Sequence, residues 1–182
     1  MLTGKKIVLG VSGGIAAYKM ANVASMLSKL HADIHVVMTE NATHFITPET
    51  FEVLTGNHCY TDTFDRCMEL HVPHIALGTQ ADAILIAPAS ADVVGKIANG
   101  IADDMLTTCV LPATCPVMLA PSMNVHMYEN PIVQDNMKKL ASYGYEIIEA
   151  DEGYLACRDI GKGKLPPEHV LVDYIIRACA MD

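Results

Sequence analysis

Positive charge is scarce in this chain, and the scarcity narrows the functions it can have. Only 12 of its 182 residues are Lys or Arg, against 21 Asp and Glu, and the formal net charge is −9. The acidic residues are dispersed rather than gathered in a tail. A nucleic-acid partner is therefore not expected, because such partners select basic surfaces. An anionic ligand must be held by backbone amides, hydroxyls or a few placed cations.

Long apolar runs and a leader segment are also lacking. Although 51% of the residues are apolar, Asp, Gly, Pro or Lys interrupts the longest stretches every few residues. Residues 1–6 lead directly into a predicted strand, without the apolar segment of a signal peptide. We expect a cytoplasmic protein with no membrane partner.

The cysteines lack the spacing of a metal site or a disulfide framework. They are Cys59, Cys67, Cys109, Cys115, Cys157 and Cys179. No two of them form a CxxC pair. Reduced thiols in a cytosol are therefore expected rather than disulfides, and no metal site is predicted.

Short apolar segments alternate with amphipathic ones along the whole chain. Strands are predicted at residues 6–11, 33–38, 83–87, 116–120 and 145–148, and helices at 15–30, 48–54, 92–111, 131–143 and 167–179. Continuous apolar strands separated by helices predict an α/β fold with three layers, in which helices cover both faces of a parallel sheet. Residues 1–182 are expected to form one domain.

The turn after the first predicted strand has the composition of a phosphate site. Ser12, Gly13 and Gly14 precede a helix, so free backbone amides and the Ser12 hydroxyl favour an anion there. The dinucleotide pattern GxGxxG is absent, because Ser12 and Ile15 stand where glycine is needed. A turn that merely joins strand to helix is the alternative interpretation.

Two later loops also follow predicted strands, at the edge of the sheet where ligands gather. Ser90 and Asp92 are natural helix caps, and Ser90 with the nearby amides could equally contact a cofactor. Asn124 stands between Met123 and Met127, where neither a turn nor a core requires an amide. It is either a carboxylate ligand or the cap of the next helix.

Residues outside these loops offer acid–base chemistry. His74 could act as an acid, a base or a hydrogen-bond donor, or be a structural histidine. Pro73 is expected to prevent a helix there, which makes metal binding by His71 and His74 improbable. Residues 152–166 form a glycine-spaced, charged segment around Cys157 that is predicted to be a mobile flap. Its cations Arg158, Lys162 and Lys164 could lower the pKa of the Cys157 thiol or bind an anion. A surface loop with a bystander cysteine is the alternative.

Taken together, residues 10–19, His74, 88–92, 121–128 and 155–157 resemble the phosphopantothenoylcysteine decarboxylases, a group of homo-oligomeric flavin-containing cysteine decarboxylases. The likeness runs in order over about residues 5–166. It implies a flavodoxin-like or Rossmann-like sheet and bound FMN. It also implies conversion of 4'-phospho-N-pantothenoylcysteine to 4'-phosphopantetheine and CO2 in coenzyme A biosynthesis.

The resemblance also assigns residues to roles. It implies that His74, Asn124 and Cys157 are catalytic, and that Asn124, Met127 and Ala156 bind substrate. Asn124 is expected to hold the substrate carboxylate, and Cys157 to supply a proton after CO2 has left. The implied flavin contacts are Ser12, Gly13, Gly14, Thr39, Ser90, Ala91, Asp92 and Met123.

Three positions depart from the family pattern. Asp92 stands where the family has Asn, Tyr128 where it has Trp, and Arg158 where it has Gly. An acid beside a flavin disfavours a reduced anionic ring unless the acid is protonated or turned away. Tyr128 keeps an aromatic face, and Arg158 could contact an anionic substrate.

The resemblance further implies a homo-oligomer, either a trimer or a dodecamer of trimers. Since the chain stops at Asp182, the synthetase fused to many relatives is expected to be a separate protein. Within the same superfamily, a peptidyl-cysteine decarboxylase or a flavin prenyltransferase is an alternative. A non-catalytic flavin-binding regulatory relative and a nucleotide-binding module without flavin are others.

Overall fold

A parallel sheet forms the centre of the molecule. The computed structural model describes residues 1–64, 72–154 and 159–180. The strands are β1 (Lys6–Val11), β2 (Asp33–Met38), β3 (Cys59–Tyr60), β4 (Ala83–Ala89), β5 (Val117–Pro121), β6 (Glu146–Ile147), β7 (Asp151–Tyr154) and β8 (Ile160–Lys164). The first six are parallel in the order β3-β2-β1-β4-β5-β6, which confirms the predicted Rossmann-like fold class.

Helices cover both faces of this sheet. They are α1 (Lys19–Lys29), α2 (Glu40–Thr43), α3 (Pro48–Thr55), α4 (Pro73–Gln80), α5 (Ala91–Ala98), α6 (Met105–Val110), α7 (Val125–Tyr128), α8 (Pro131–Ser142) and α9 (Glu168–Cys179), and a 3-10 turn covers Ile15–Tyr18. None of the helices within the described ranges is long and apolar enough to cross a bilayer.

Two hydrophobic cores lie on opposite faces of the sheet because side chains alternate along each strand. In β1, Ile7 and Leu9 join the core shared with α1 and α9, whereas Val8 joins the core shared with α4, α5, α6 and α8. The seven residues of β4 are all buried, as expected for a strand covered on both faces. The three-layer arrangement predicted from the sequence is therefore confirmed.

The long helix predicted over residues 92–111 is wrong, because the chain forms two helices there. The first ends at Ala98, and Gly100 then adopts a left-handed φ of +67°. Asp104 begins the second helix by accepting a hydrogen bond from the backbone amide of Thr107 at 2.8 Å. The Thr107 hydroxyl accepts in return from the amide of Asp104 at 3.3 Å. This reciprocal capping box stabilises a new helix start.

The effect expected of Pro73 is also wrong. Pro73 is the first residue of α4, a position that needs no amide donor and suits the fixed φ of proline. His74 therefore lies in the first turn of a helix. No sequence pattern predicted β3 either, which has only two residues and pairs with β2.

The segment predicted to be a mobile flap is built on a hairpin. Strands β7 and β8 pair antiparallel, and they form a second sheet beside the main one. Residues 155–158, between these strands, lie outside the described parts of the chain. The hairpin departs from the strand–helix alternation, as the sequence indicated.

The starts of β1 and β4 are joined by Asp82. Its carboxylate accepts from the backbone amide of Lys6 at 2.7 Å and from the Lys5 ammonium at 3.1 Å. Partial burial alone would raise the pKa of Asp82, but these hydrogen bonds outweigh it and lower the pKa below its usual value. The carboxylate thus stabilises the fold above its unfolded pKa, and the contribution is lost as pH falls through the lower folded pKa.

Asp82→Asn is expected to lower the free energy of unfolding by about 1 kcal/mol at neutral pH, because the charged partner of Lys5 is lost. The deficit should shrink at about pH 3, where the carboxyl group of the parent protein begins to be protonated as well. Urea unfolding at both pH values measures the difference in free energy of unfolding between the variant and the parent protein. Asp135→Asn, which removes an exposed pair with Lys138, is the control with little effect. A deficit of equal size at both pH values would contradict the role of charge.

Candidate functional site

A cleft of about 480 Å³ opens at the carboxyl edge of the sheet, near the ends of β1, β4 and β5. The strand order reverses between β1 and β4, so the cleft lies where open α/β sheets bind ligands. Its volume is in the range of small-molecule sites. The lining residues are Gly13, Gly14, Ile15, Ala16, Tyr18, Lys19, Ser90, Ala91, Ser122, Met123, Asn124, Met127, Tyr154, Gly163, Lys164 and Leu165.

The glycine turn presents unused amides to this cleft. An added Cβ at Gly13 would lie 2.5 Å from the Cβ of Asn41, so only glycine allows this close approach. Within the described part of the chain, the backbone amides of Gly13 and Gly14 have no hydrogen-bond partner. Neighbouring amides of this kind form an anion site.

Ser12 joins the ends of β1 and β4 beside the cleft. Its buried hydroxyl donates to the Pro88 carbonyl at 2.7 Å and accepts from the Ser90 amide at 2.9 Å. The hydroxyl proton is thus already used, and Ser12 is not among the residues that line the cleft. Its predicted role as a phosphate donor stays a prediction and requires this bond to break.

Two other predicted cofactor residues cap helices. The Ser90 hydroxyl accepts from the amide of Val93 at 3.3 Å at the start of α5, and Ser90 and Ala91 both line the cleft. The Thr39 hydroxyl accepts from the amide of Ala42 at 3.3 Å, but Thr39 is buried and does not line the cleft. The capping and cofactor interpretations of Ser90 are thus compatible, whereas contact between Thr39 and a cofactor stays a prediction.

Asp92 lies outside the cleft lining, and a cation pairs with it. The Lys96 ammonium lies 3.2 Å from Asp92, 3.1 Å from Asp103 and 3.7 Å from Asp104. Partial burial tends to lower the pKa of Lys96, but hydrogen bonds to Asp103 and Asp92 raise it above its ordinary value. Lys96 therefore stays charged, but it is shared among three carboxylates and so offsets only part of the negative charge around Asp92. The predicted direct contact of Asp92 with the cofactor stays a prediction.

Asn124 uses the two ends of its amide differently. Its oxygen accepts from the backbone amide of His126 at 2.9 Å and caps α7. Its nitrogen donates to the Asp159 carboxylate at 3.1 Å. The cap uses the oxygen of the amide and leaves its N–H groups to other acceptors. The two interpretations of Asn124 are therefore compatible, and in this conformation Asp159 is a carboxylate bound to that amide.

Glycines dock the hairpin onto the loop that carries Asn124. The Gly163 carbonyl accepts from the amide of Met123 at 3.0 Å. An added Cβ at Gly163 would lie 2.3 Å from the Met123 oxygen, and the φ of +141° also favours glycine. A Cβ added at Gly161 would lie 2.6 Å from the side chain of Val125. Alternate glycines in β8 therefore allow close contact between the hairpin and the loop.

The remaining predicted residues divide into three groups. Met123 and Met127 line the cleft beside Asn124. Cys157 and Ala156 lie outside the described residues. His74 is not among the lining residues, and its Nδ1 is buried without a partner in the ranges that the structure describes. The structure therefore brings together the methionine–asparagine loop and the glycine turn, but not His74.

Three thiols of the described part are poor acids. Burial, with smaller contributions from Glu52 and Glu49, raises the pKa of Cys59 to about 12. Burial likewise raises the pKa of Cys109 to about 12 and that of Cys115 to about 11. These thiols stay protonated at neutral pH, where a reactive cysteine would need a lowered pKa.

Sequence reasoning missed Asp159, which the hairpin brings to the site, but it named Lys164 as a candidate anion contact. Asp159 contacts Asn124, and Lys164 lines the cleft. Glycine spacing marked the segment as unusual. The pairing of β7 with β8 and the contact with Met123 join residues far apart in the chain, and no local pattern predicts them.

The chain matches the model of the family described as Flavoprotein over residues 1–180. It is 49% identical over 172 residues to the coenzyme A biosynthesis bifunctional protein CoaBC of Bacillus subtilis, an alignment that covers 94% of this chain and 42% of that protein. The chain thus spans less than half the length of that relative. A probable phosphopantothenoylcysteine decarboxylase of Streptococcus mutans is 42% identical, and the alignment covers 94% of this chain and 97% of that protein.

Solved structures with a similar fold include two decarboxylases. The FMN-dependent cysteine decarboxylase SpaF superposes with a TM-score of 0.84 at 35% identity, covering 98% of this chain and 99% of that one. A cysteine-to-serine mutant of PPC decarboxylase, complexed with pantothenoylaminoethenethiol, has a TM-score of 0.85 at 28% identity, with 95% and 97% covered.

Gly163→Ala is expected to release the hairpin from the Met123 loop, because the new Cβ collides with a backbone oxygen. The amide of Met123 should then exchange with solvent at least about tenfold faster, as a hydrogen bond worth about 1.4 kcal/mol is lost. Hydrogen exchange resolved to single amides measures this effect.

The matched control is Gly153→Ala in β7. There the nearest atom to an added Cβ is Lys164 Cδ at 3.5 Å, an ordinary contact with a flexible side chain. This variant should keep the protection of the Met123 amide. Equal protection of that amide in Gly163→Ala and the parent protein would show that the hairpin docks by other contacts.

Proposed function

Because the chain belongs to the Flavoprotein family, we propose that it is an FMN-dependent phosphopantothenoylcysteine decarboxylase. It would convert 4'-phospho-N-pantothenoylcysteine to 4'-phosphopantetheine and CO2 in coenzyme A biosynthesis. One observation carries the proposal: the Asn124 amide lies in the cleft and donates at 3.1 Å to a carboxylate. The substrate carboxylate can replace that of Asp159 at this amide.

The residues that line the cleft have chemistry that suits FMN. The unpartnered amides of Gly13 and Gly14 can receive the phosphate, and Ser90, Ala91 and Met123 line the wall beside them. Ile15, Tyr18 and Met127 expose large apolar surfaces at the cleft, which suits an aromatic ring system. The remaining proposed cofactor residues are Ser12, Thr39 and Asp92, and Asp92 lies in the first turn of α5. FMN would supply a hydride acceptor that also returns the hydride.

The residues of the chain have separate tasks in this proposal. Asn124 orients the substrate through its carboxylate, and Met127 and Ala156 bind the substrate beside it. His74 orients substrate or moves a proton. Cys157 donates a proton to the enethiolate that remains after CO2 has left. This proton and the hydride that FMN would return together give the saturated thiol, so the reaction has no net oxidation. The raised pKa values of Cys59, Cys109 and Cys115 leave these thiols unsuited to that step.

A homo-oligomer is part of the same proposal, as a trimer or a dodecamer of trimers. His74 does not line the cleft of its own chain, so a site that contains His74 would need a second copy. The exposed Ile15, Tyr18 and Tyr154 at the cleft would be covered in such an assembly. We also propose a cytoplasmic location and a synthetase as a partner in the same pathway, since the relatives named CoaBC are bifunctional.

A peptidyl-cysteine decarboxylase is the second candidate, because SpaF is described as a cysteine decarboxylase and superposes closely. Both reactions would use Asn124 for the carboxylate. They differ in the remainder of the substrate, which carries a phosphate only in the pantothenoyl compound.

The purified protein should contain FMN and release one CO2 for each saturated thiol formed from 4'-phospho-N-pantothenoylcysteine, without an added oxidant. Asn124→Asp should abolish turnover and keep FMN, because a carboxylate repels that of the substrate. Flavin absorbance, flavin released by heat and CO2 are the measurements. A protein that bound FAD, or no flavin, would contradict the proposal.

A double variant separates substrate repulsion from damage to the hairpin. Asn124→Asp alone places two carboxylates together, because Asp159 already contacts residue 124. Asn124→Asp with Asp159→Asn exchanges amide and carboxylate, which keeps a hydrogen bond between the two residues. This variant should stay inactive. If it recovered turnover, Asn124 would serve the hairpin and not the substrate carboxylate.

Sedimentation equilibrium is expected to give a mass that is a multiple of three chains, because the proposed assembly is built from trimers. The protein should keep this mass when its FMN is bound. A monomer with full FMN occupancy and full turnover would contradict the shared site and return His74 to a structural role.

A further inference from the structure

The cleft differs in charge from the remainder of the molecule. The chain has a formal net charge of −9, yet no acidic residue is among the described residues that line the cleft. Two cations, Lys19 and Lys164, line it. A local excess of positive charge in an acidic protein indicates a site for an anionic ligand.

The two lysines of β8 are arranged differently. Lys162 pairs with Glu149, which raises the pKa of Lys162 and lowers that of Glu149, and Lys162 does not line the cleft. Lys164 lines the cleft, and its ammonium has no ion pair or hydrogen bond within the ranges described. Its Nζ lies 3.8 Å from the position that a Cβ on Gly153 would take. Lys164 is therefore an ammonium available to a ligand.

Three anionic groups would enter this cleft during the proposed reaction. The cofactor phosphate can be met by the amides of Gly13 and Gly14 in the turn after β1, and the substrate carboxylate by the neutral amide of Asn124. A full cation at the carboxylate would stabilise the charge that must leave as CO2, and so would raise the barrier. The substrate phosphate keeps its charge throughout, so a cation can bind it without this cost.

We propose that Lys164 binds the phosphate of the substrate and thereby selects the phosphorylated pantothenoyl compound over one without phosphate. The inference rests on the proposed function, and it assigns a specificity residue to it. A phosphate monoester carries close to two negative charges at neutral pH, and an ammonium donates charge-assisted hydrogen bonds to its oxygens.

The experiment compares kcat/KM for 4'-phospho-N-pantothenoylcysteine and for N-pantothenoylcysteine. Lys164→Gln should lower the preference for the phosphorylated substrate at least about tenfold through KM, because a charge-assisted hydrogen bond is lost. Lys164→Arg should keep most of the preference. Lys162→Gln removes a cation two residues away on the same strand, but outside the cleft, and should leave the preference unchanged.

Each other outcome contradicts the inference in its own way. An equal loss with both substrates would place Lys164 at a group that they share. Loss of FMN from Lys164→Gln, measured by flavin absorbance, would assign the lysine to the cofactor. Unchanged preference would mean that another group binds the phosphate. If the parent protein decarboxylated neither substrate, the proposed function itself would fail, and the selectivity with it.

Discussion

The buried hydroxyl of Ser12 is the contact on which the geometry of the cleft depends. It donates to Pro88 at the end of β4 and accepts from Ser90 at the start of α5, so a single group fixes the two central strand ends. A parallel sheet brings these ends to the same edge, but it does not set the distance between the loops that follow. Because the hydroxyl uses both its proton and a lone pair, the loops cannot separate without leaving buried polar groups unsatisfied. The amides of the glycine turn therefore keep a fixed position relative to α5.

The hairpin gives the cleft its second wall and depends on close backbone contact. Gly163 lets β8 approach the backbone of Met123, and Gly161 lets it approach the side chain of Val125, more closely than a residue with a Cβ could. That contact brings Asp159 to Asn124 and Lys164 to the cleft lining. The residue before β8 thus interacts with the methionine–asparagine loop, and the last residue of β8 remains available to a ligand.

Local patterns predicted five of the six strands of the main sheet and the helices α1, α3, α8 and α9, because burial on both faces leaves continuous apolar strands such as β4. These patterns failed at Asp104, where a capping box begins a second helix, and at Pro73, which begins a helix instead of preventing one. In both cases the effect of the residue depends on its position within the helix. The cation partner of Asp92 and the carboxylate partner of Asn124 could not be predicted. Lys96 meets acids from the following loop, and Asp159 reaches Asn124 only through tertiary docking.

The contact between Asn124 and Asp159 has a consequence for the energetics of the proposed reaction. In this structure the Asp159 carboxylate accepts a hydrogen bond from the Asn124 amide. A substrate carboxylate must replace an equivalent group, so its net binding energy at this amide is small. Weak binding there favours the reaction, because a tightly held carboxylate would have to give up that stabilisation as CO2 leaves. Affinity must then come from parts of the substrate that do not react. In the proposed reaction, binding thus depends on the substrate phosphate, which keeps its charge, and the chemistry takes place at the carboxylate, which loses its charge as CO2 leaves.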